Sequence, residues 1–304
     1  MPWSVQPEGT SMSAASRPRR SVLFMPASNA RALEKARSLS ADGLIFDLED
    51  AVAPDAKPAA RENVAHALAA GGYGARELFL RVNALSTPWG HADLVSAAAM
   101  PIDAVVLPKV ESAHAVQQAR EILERSGAPA QHAIWCMIET PRGVLRAEDI
   151  AAACLSSGGL IMGTADLTKD LHARHTSGRA PLQAALQLCL LAARAHGLPI
   201  LDGVHLDLAD DAGFAEACRQ GRDLGFDGKT LIHPKTIDTA NAIFAPSAEE
   251  VVLSRRIVAA HAEAVTAGKG VVLVDGRLVE NLHVEEAMRM VALTEAIEAQ
   301  RPAR

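Results

Sequence analysis

The sequence predicts an α/β protein whose eight strand–helix units close into a (β/α)8 (TIM) barrel, followed by a C-terminal helical lid extension. Three observations lead there. Eight short apolar runs alternate with Ala-rich helical stretches across about 225 residues, the size of such a barrel. The runs are continuously apolar, as strands buried on both faces of a parallel sheet must be. Most of them end in charged or ligating side chains, at the strand ends where this architecture builds its sites.

The strands begin with "SVLFMPA" from Ser21, ahead of the helical "ARALEKARSLS". "GLIFDLED" from Gly43 leads into "PAARENVAHALAA", and "LFLRVN" starts at Leu78. "AVVLPKV" from Ala104 precedes "SAHAVQQAREILERSG", and "AIWCMIE" starts at Ala133. "GLIMGTAD" from Gly159 precedes "APLQAALQLCLLAARAHG"; "PILDG" from Pro199 and "GKTLIHP" from Gly228 close the set. In the helical stretches apolar residues recur at i, i+3, i+4 and i+7. A doubly wound open sheet is the competing architecture. It is set aside because the count closes at eight and "MPASNA" after Phe24 is not the glycine fingerprint of a dinucleotide site.

Three segments follow from this division: a disordered leader over 1–20, the barrel over 21–245, and a helix–hairpin–helix lid over 246–304. The lid helix opens at Ser247 with Glu250 three residues on, a capping box. Asp275-Gly276 sits at the hairpin tip. The leader lacks the apolar core of a secretory signal, and its Ser and Arg content only faintly resembles a transit peptide.

Of 304 residues, 49% are hydrophobic but only 3% aromatic, so the core must be aliphatic. A net charge of -6, with acids and bases interspersed, argues against a nucleic-acid surface and for small-molecule chemistry. No apolar run is long enough to span a membrane. Cys136, Cys154, Cys189 and Cys218 lie in apolar segments without CxxC pairing. They read as buried, reduced thiols of a cytoplasmic protein.

The strand ends carry Asp47, Glu49 and Asp50; Arg81 and Asn83; Lys109 and Glu111; Glu139; Asp166; Asp202; and His233. One shared polar mouth is therefore expected. Glu139 and Asp166 end adjacent strands with no His or Cys cluster nearby. Two hard oxygen ligands suit Mg²⁺, with water and substrate oxygens completing the octahedron. Arg81 offers a planar fork for a carboxylate. The bare constellation reads as a Mg²⁺-held oxo or hydroxy acid with an arginine clamp.

"RSVLFMPASNARALEKA", "DLEDAVAPDAK", "FLRVNAL", "LPKVES", "IETPRGV", "GTADLTKDL", "LGFDGKTLIHPKTI" and "GVVLVDGRLVE" follow one another in order. Together they resemble the citrate lyase beta-subunit-like branch of the HpcH/HpaI aldolase superfamily, which includes malyl-CoA and citramalyl-CoA lyases. The resemblance covers nearly the whole chain after Arg20. It implies a Mg²⁺-dependent carbon–carbon lyase acting on 3-hydroxyacyl-CoA thioesters by retro-Claisen-type cleavage. Glu139 and Asp166 match its metal ligands and Arg81 its substrate-binding arginine. Phe24, Arg31 and Lys35 fall where the family contacts coenzyme A, and Ile232 and His233 match a backbone stretch touching the ligand. Asp275 matches a catalytic acid carried by the C-terminal lid, often that of a neighbouring subunit, which implies a homo-oligomer, a trimer or a multiple of one. Asp47 and Glu49 are expected to hold Arg81 and the metal's waters in place. Ala27 and His172 stand where relatives commonly carry glycine.

Competing readings exist for several of these residues. Lys109 is either a Schiff-base lysine or an ion-pair partner of nearby acids, the second being preferred. His233 is either catalytic or a backbone contact ahead of a helix beginning at Pro234. Asp275 is, by turn chemistry alone, a turn former. His91, His132 and His205 show no partner pattern, and Asp207, Asp210 and Asp211 are expected to cap the next helix. Two further functions compete with a stand-alone lyase. One is a citrate lyase subunit taking its thioester from a carrier protein. The other is a non-catalytic CoA-thioester binder, which should lack one of Arg81, Glu139, Asp166 or Asp275.

Overall fold

In the computed structural model, which describes residues 17–155, 157–266 and 272–300, eight parallel strands pair in sequence order and the first closes on the eighth. β1 (Ser21–Pro26) and α1 (Ala30–Ala36), β2 (Gly43–Asp47) and α2 (Lys57–Ala70), β3 (Glu77–Arg81) and α3 (Gly90–Ala97), and β4 (Ala104–Leu107) and α4 (Ala113–Arg125) make the first half. β5 (Ala133–Ile138) is followed by α5 (Pro141–Leu145) and α6 (Ala147–Ala153). β6 (Gly159–Met162) is followed by α7 (Thr164–Asp170) and α8 (Gln183–Ala195), β7 (Ile200–Asp202) by α9 (Asp211–Leu224), and β8 (Gly228–Leu231) by α10 (Ile237–Phe244). Residues 1–16, most of the expected leader, lie outside the described residues. No described helix is long and apolar enough to cross a membrane.

The period-2 geometry of a strand explains why the apolar runs are continuous. One parity faces the barrel axis: Val22, Ile45, Phe79, Val106, Trp135, Met137, Ile161 and Leu201 form one buried cluster. Phe79 and Trp135 meet there edge to face, 5.3 Å between centroids. The other parity, including Leu23, Leu44, Phe46, Leu80, Ile134 and Ile200, packs under the helices. Beneath the axial cluster the Arg19 guanidinium lies 5.1 Å from the Trp135 ring and pairs with buried Glu77 at 2.5 Å.

Helix ends follow their local sequence. Ser112 caps α4 by accepting from the Ala115 N–H, and Val116, Ala119 and Leu123 on that helix are buried. Asp210 caps α9 through the Gly213 N–H at 2.8 Å, and the helix stops at Gly225, whose φ of 106° favours glycine.

The parity rule corrects one expectation. Leu201 faces the axis, so Asp202 faces outward, into the layer between barrel and helices. It is fully buried there, 2.7 Å from both Lys229 Nζ and Arg179 Nη1. Burial opposes its charge, but those two cations hold its carboxyl below the usual range. Asp202 therefore belongs to a structural ion cluster and not to the polar mouth.

After Phe244 the chain forms a second compact unit. α11 (Ala248–Thr266) begins with the Ser247–Glu250 capping box, both reciprocal bonds being present. β9 (Val272–Val274) and β10 (Arg277–Val279) pair antiparallel, and α12 (Asn281–Ala299) follows. Asp275 and Gly276 both have positive φ, 50° and 75°, the type I′ turn that Asp-Gly favours. Val274, Val279 and Val284 form this unit's small core, with Ile257 and Ala260 against it.

Candidate active site

The inward parity continues above the axial core. Two residues beyond Ile45, Phe79 and Met137 come Asp47, Arg81 and Glu139, and all three line one cavity of about 420 Å³ at the C-terminal ends of the strands. Asp166 lines it too, from the first turn of α7. It was expected at a strand end; β6 instead stops at Met162 and the chain turns through Gly163 into a helix.

Asp47, Glu49 and Asp50 put three acids in one short turn, and the contacts of Asp47 show how they coexist. Its carboxylate accepts from Arg81 Nε and Nη2 at 2.7 and 2.6 Å, and from the N–H groups of Glu49 and Ala51 at 2.8 and 3.1 Å. All its acceptor sites are thus in use. Glu49 Oε2 takes Arg81 Nη1 at 2.8 Å. Lys57, buried at the start of α2, donates from Nζ to the Leu48 and Glu49 carbonyls at 2.9 and 3.0 Å, fixing the turn from behind.

The expected open fork of Arg81 is therefore occupied. Of the five N–H donors of a guanidinium, two go to Asp47, and Nη1 is held by its ion pair with Glu49. The rest are left for a ligand, apart from a 3.8 Å approach of Nη1 to Met137 Sδ. One face of the group rests on the Phe24 ring, 4.8 Å from its centroid. Burial works against the Arg81 charge; the carboxylates of Asp47, Glu49 and Asp50 more than offset it and raise its pKa.

Glu139 is 1% exposed. Its Oε1 accepts the Lys109 N–H at 2.7 Å, and its other oxygen faces Gly163. A Cβ on Gly163 would lie 2.5 Å from that oxygen, so only glycine keeps the space open. Burial pushes the Glu139 carboxyl up to about 7, against the lowering effect of the Lys109 N–H. A buried carboxylate with one oxygen turned into a cavity that Asp166 also lines suits a divalent cation. Among the described residues no group of three or more His, Cys, Asp or Glu could hold a metal. Two carboxylates leave most of an octahedron to water and substrate oxygens, the pattern Mg²⁺ prefers.

A pH dependence follows. The folded-state pKa of Glu139, about 7, lies above the ordinary glutamate value of 4.5. Its contribution to stability is full below the lower value and is lost as pH rises through the higher one. A cation needs the ionised form, so apparent Mg²⁺ affinity at pH 5.5 should be about thirtyfold weaker than at pH 8. Thermal denaturation at both pH values, with and without Mg²⁺, checks this: the Mg²⁺-induced rise in Tm should be larger at pH 8, and Glu139→Gln should flatten the difference.

Residues 20–234 match the family model described as HpcH/HpaI aldolase/citrate lyase. The chain belongs to the HpcH/HpaI aldolase/citrate lyase family. That makes it an enzyme of an aldolase and lyase class. It is 47% identical over 288 residues to a (3S)-malyl-CoA thioesterase of Cereibacter sphaeroides, covering 95% of this chain and 99% of the relative. It is 36% identical to the citrate lyase subunit beta of Escherichia coli K12, covering 92% and 94%. Among solved structures, CitE of Mycobacterium tuberculosis in complex with magnesium, acetoacetate and coenzyme A superposes with a TM-score of 0.72. The identity is 31%, over 92% of this chain and 99% of that one.

In this family member the remaining candidates are distributed as follows. Phe24 and Ile232 line the cavity, Ile232 being 41% exposed. Arg31 and Lys35 are exposed on α1, four residues apart. His233 is not among the lining residues; its Nδ1 accepts the Lys235 N–H at 3.1 Å and caps the 3₁₀ turn Pro234–Thr236. Lys109 makes the ion pair preferred from sequence, 2.5 Å to Glu49. Asp275 belongs to the C-terminal unit, where its carboxylate pairs with Arg256 of α11. Asn83 is bonded to Asp93 and the Leu48 carbonyl, and Glu111 lies near Arg142, so neither contributes to the cavity. His172 adopts φ 54°, a left-handed backbone that explains why glycine suits this position. Sequence reasoning missed Met137 and Lys57. Met137 was recoverable, since it lies two residues from both Trp135 and Glu139; a buried lysine opening a polar helix leaves no such signal.

Proposed function

We propose that the protein is a Mg²⁺-dependent lyase that cleaves a malyl-CoA- or citramalyl-CoA-type 3-hydroxyacyl thioester into a 2-oxo acid and acetyl-CoA. The observation carrying this reading is the pairing of buried Glu139 with half-buried Asp166 in one cavity with Arg81. Mg²⁺ held by the two carboxylates would supply a Lewis acid for the substrate's carboxylate and hydroxyl oxygens. Arg81, locked by Asp47 and Glu49, presents its remaining donors and its charge to that carboxylate. As the hydroxyl proton passes to water, the oxygen's electron pair forms the carbonyl of the 2-oxo acid, the bond between the hydroxyl-bearing carbon and the thioester α-carbon breaks, and its electron pair passes to the α-carbon. Asp275, from the C-terminal lid of the same or a neighbouring subunit in a homo-oligomer, supplies the proton that this carbon then takes. Phe24, Arg31, Lys35 and Ile232 serve the CoA portion, Arg31 and Lys35 through the nucleotide phosphates.

A second reading is hydrolysis of the same thioester, favoured by the 47% identity to a (3S)-malyl-CoA thioesterase. Weighing against an acyl-enzyme route, the described residues lining the cavity include no Ser, Cys or His, and the hydroxyls of Thr164 and Thr230 have no histidine base in that lining. Product analysis separates the two. Cleavage of malyl-CoA yields glyoxylate and acetyl-CoA with no free thiol, whereas hydrolysis yields malate and the CoA thiol. The lyase reading predicts glyoxylate, lost with EDTA; stoichiometric thiol without glyoxylate would replace it with the hydrolase. In the same assay Asp275→Asn should lower turnover about a hundredfold or more, as loss of a general acid does. Activity on free CoA thioesters, without a carrier protein, would set aside the citrate lyase subunit reading.

A further inference from the structure

Lys109 follows the end of β4 with φ 50°, a left-handed backbone that a lysine adopts only at a cost. That turn aims its N–H at Glu139 Oε1, 2.7 Å away. Its side chain serves a different partner. Nζ lies 2.5 Å from Glu49 Oε1 and 3.8 Å from Asp50. The other oxygen of Glu49 meets Arg81 Nη1 at 2.8 Å, closer than Asp50 at 3.7 Å. Asp47 fixes Nε and Nη2 and with them the plane of the guanidinium; Nη1, on the edge Asp47 leaves open, has Glu49 as its nearest carboxylate. Glu49 is itself 7% exposed, and a carboxylate that buried is costly without both cations.

We propose that Lys109 is a positioning residue for the ligand-binding edge of Arg81, its ammonium holding Glu49 against Nη1, while its main-chain N–H separately fixes Glu139. One residue then ties together the ends of four consecutive strands: Arg81 of β3 through Glu49 of the loop after β2, and Glu139 after β5. The side-chain and main-chain roles are separable. This rests on the reading that Arg81 meets a substrate carboxylate.

Lys109→Met keeps the aliphatic stem and the same backbone demand but removes the charge. Lys109→Arg restores a cation. Calorimetric titration of each variant with Mg²⁺, then with glyoxylate at saturating Mg²⁺, reads the two roles apart. In Lys109→Met the Mg²⁺ affinity should stay within about twofold of wild type while glyoxylate binds about tenfold more weakly, and Lys109→Arg should recover most of that loss. Glu49→Gln, which leaves the lysine in place, should reproduce the selective loss and serves if the methionine variant does not fold. Unchanged glyoxylate affinity in these variants, or Mg²⁺ affinity falling in parallel, overturns the proposal. Wild-type protein that binds Mg²⁺ but no 2-oxo acid would take down the functional reading and this inference with it.

Discussion

Glu139→Gln should abolish Mg²⁺-dependent turnover, by about a thousandfold or ~4 kcal/mol of transition-state stabilisation, the scale of a lost Lewis acid. The substitution keeps the side chain's shape and can still accept the Lys109 N–H, so the barrel should stay folded. Stability should move the other way. Above pH 7 the wild-type carboxylate is ionised in a site only 1% exposed, whereas the amide carries no charge to desolvate. Without Mg²⁺ at pH 8 the variant should therefore be more stable than wild type, by order 1–3 kcal/mol. The gap should close as pH falls toward the range where the carboxyl is protonated in both states. Denaturant titration at pH 8 and pH 5.5, alongside turnover, checks both signs. A variant that is less stable and still active would place Glu139 among the structural acids.

Arg81 should behave in the opposite way, losing stability and activity together. Its guanidinium is 7% exposed and compensates Asp47 and Glu49, themselves 1% and 7% exposed. Arg81→Ala leaves two buried carboxylates without this partner and should cost about 3–5 kcal/mol at neutral pH. Arg81→Lys keeps the charge but cannot bridge Asp47 bidentately while meeting Glu49. It should lose less stability than Arg81→Ala yet still lose about a hundredfold in kcat/KM. If Arg81→Lys were fully active, orientation of the guanidinium would not matter and a point charge would suffice.

The barrel was legible because each strand is an unbroken apolar run, and because period-2 geometry lets both parities be apolar for different reasons, axial core and helix layer. The same parity, extended upward by two residues, carries Asp47, Arg81 and Glu139 into the mouth. It misled where polar strand ends were counted without asking which way they faced: Asp202 follows the inward Leu201 and so lies with Lys229 and Arg179 outside the barrel, and Asn83, Glu111 and His233 also fall outside the cavity lining. The clamp on Arg81 was legible as a cluster of opposite charges, but how much of the guanidinium it occupies was not. That Asp47 takes two nitrogens and Glu49 a third depends on side-chain directions in a tight turn, set by Lys57 and by bonds to main-chain N–H groups. The left-handed backbone of Lys109 leaves no trace in sequence either, since lysine is an uncommon choice for it.

The most direct test of the metal grip is anomalous diffraction from crystals soaked in Mn²⁺ as a stand-in for Mg²⁺. The expected result is one strong peak in the barrel mouth, about 2.1 Å from a carboxylate oxygen of Glu139 and from one of Asp166. Binding of Mn²⁺ elsewhere, with these two side chains left unligated, would contradict the assignment on which the chemistry depends.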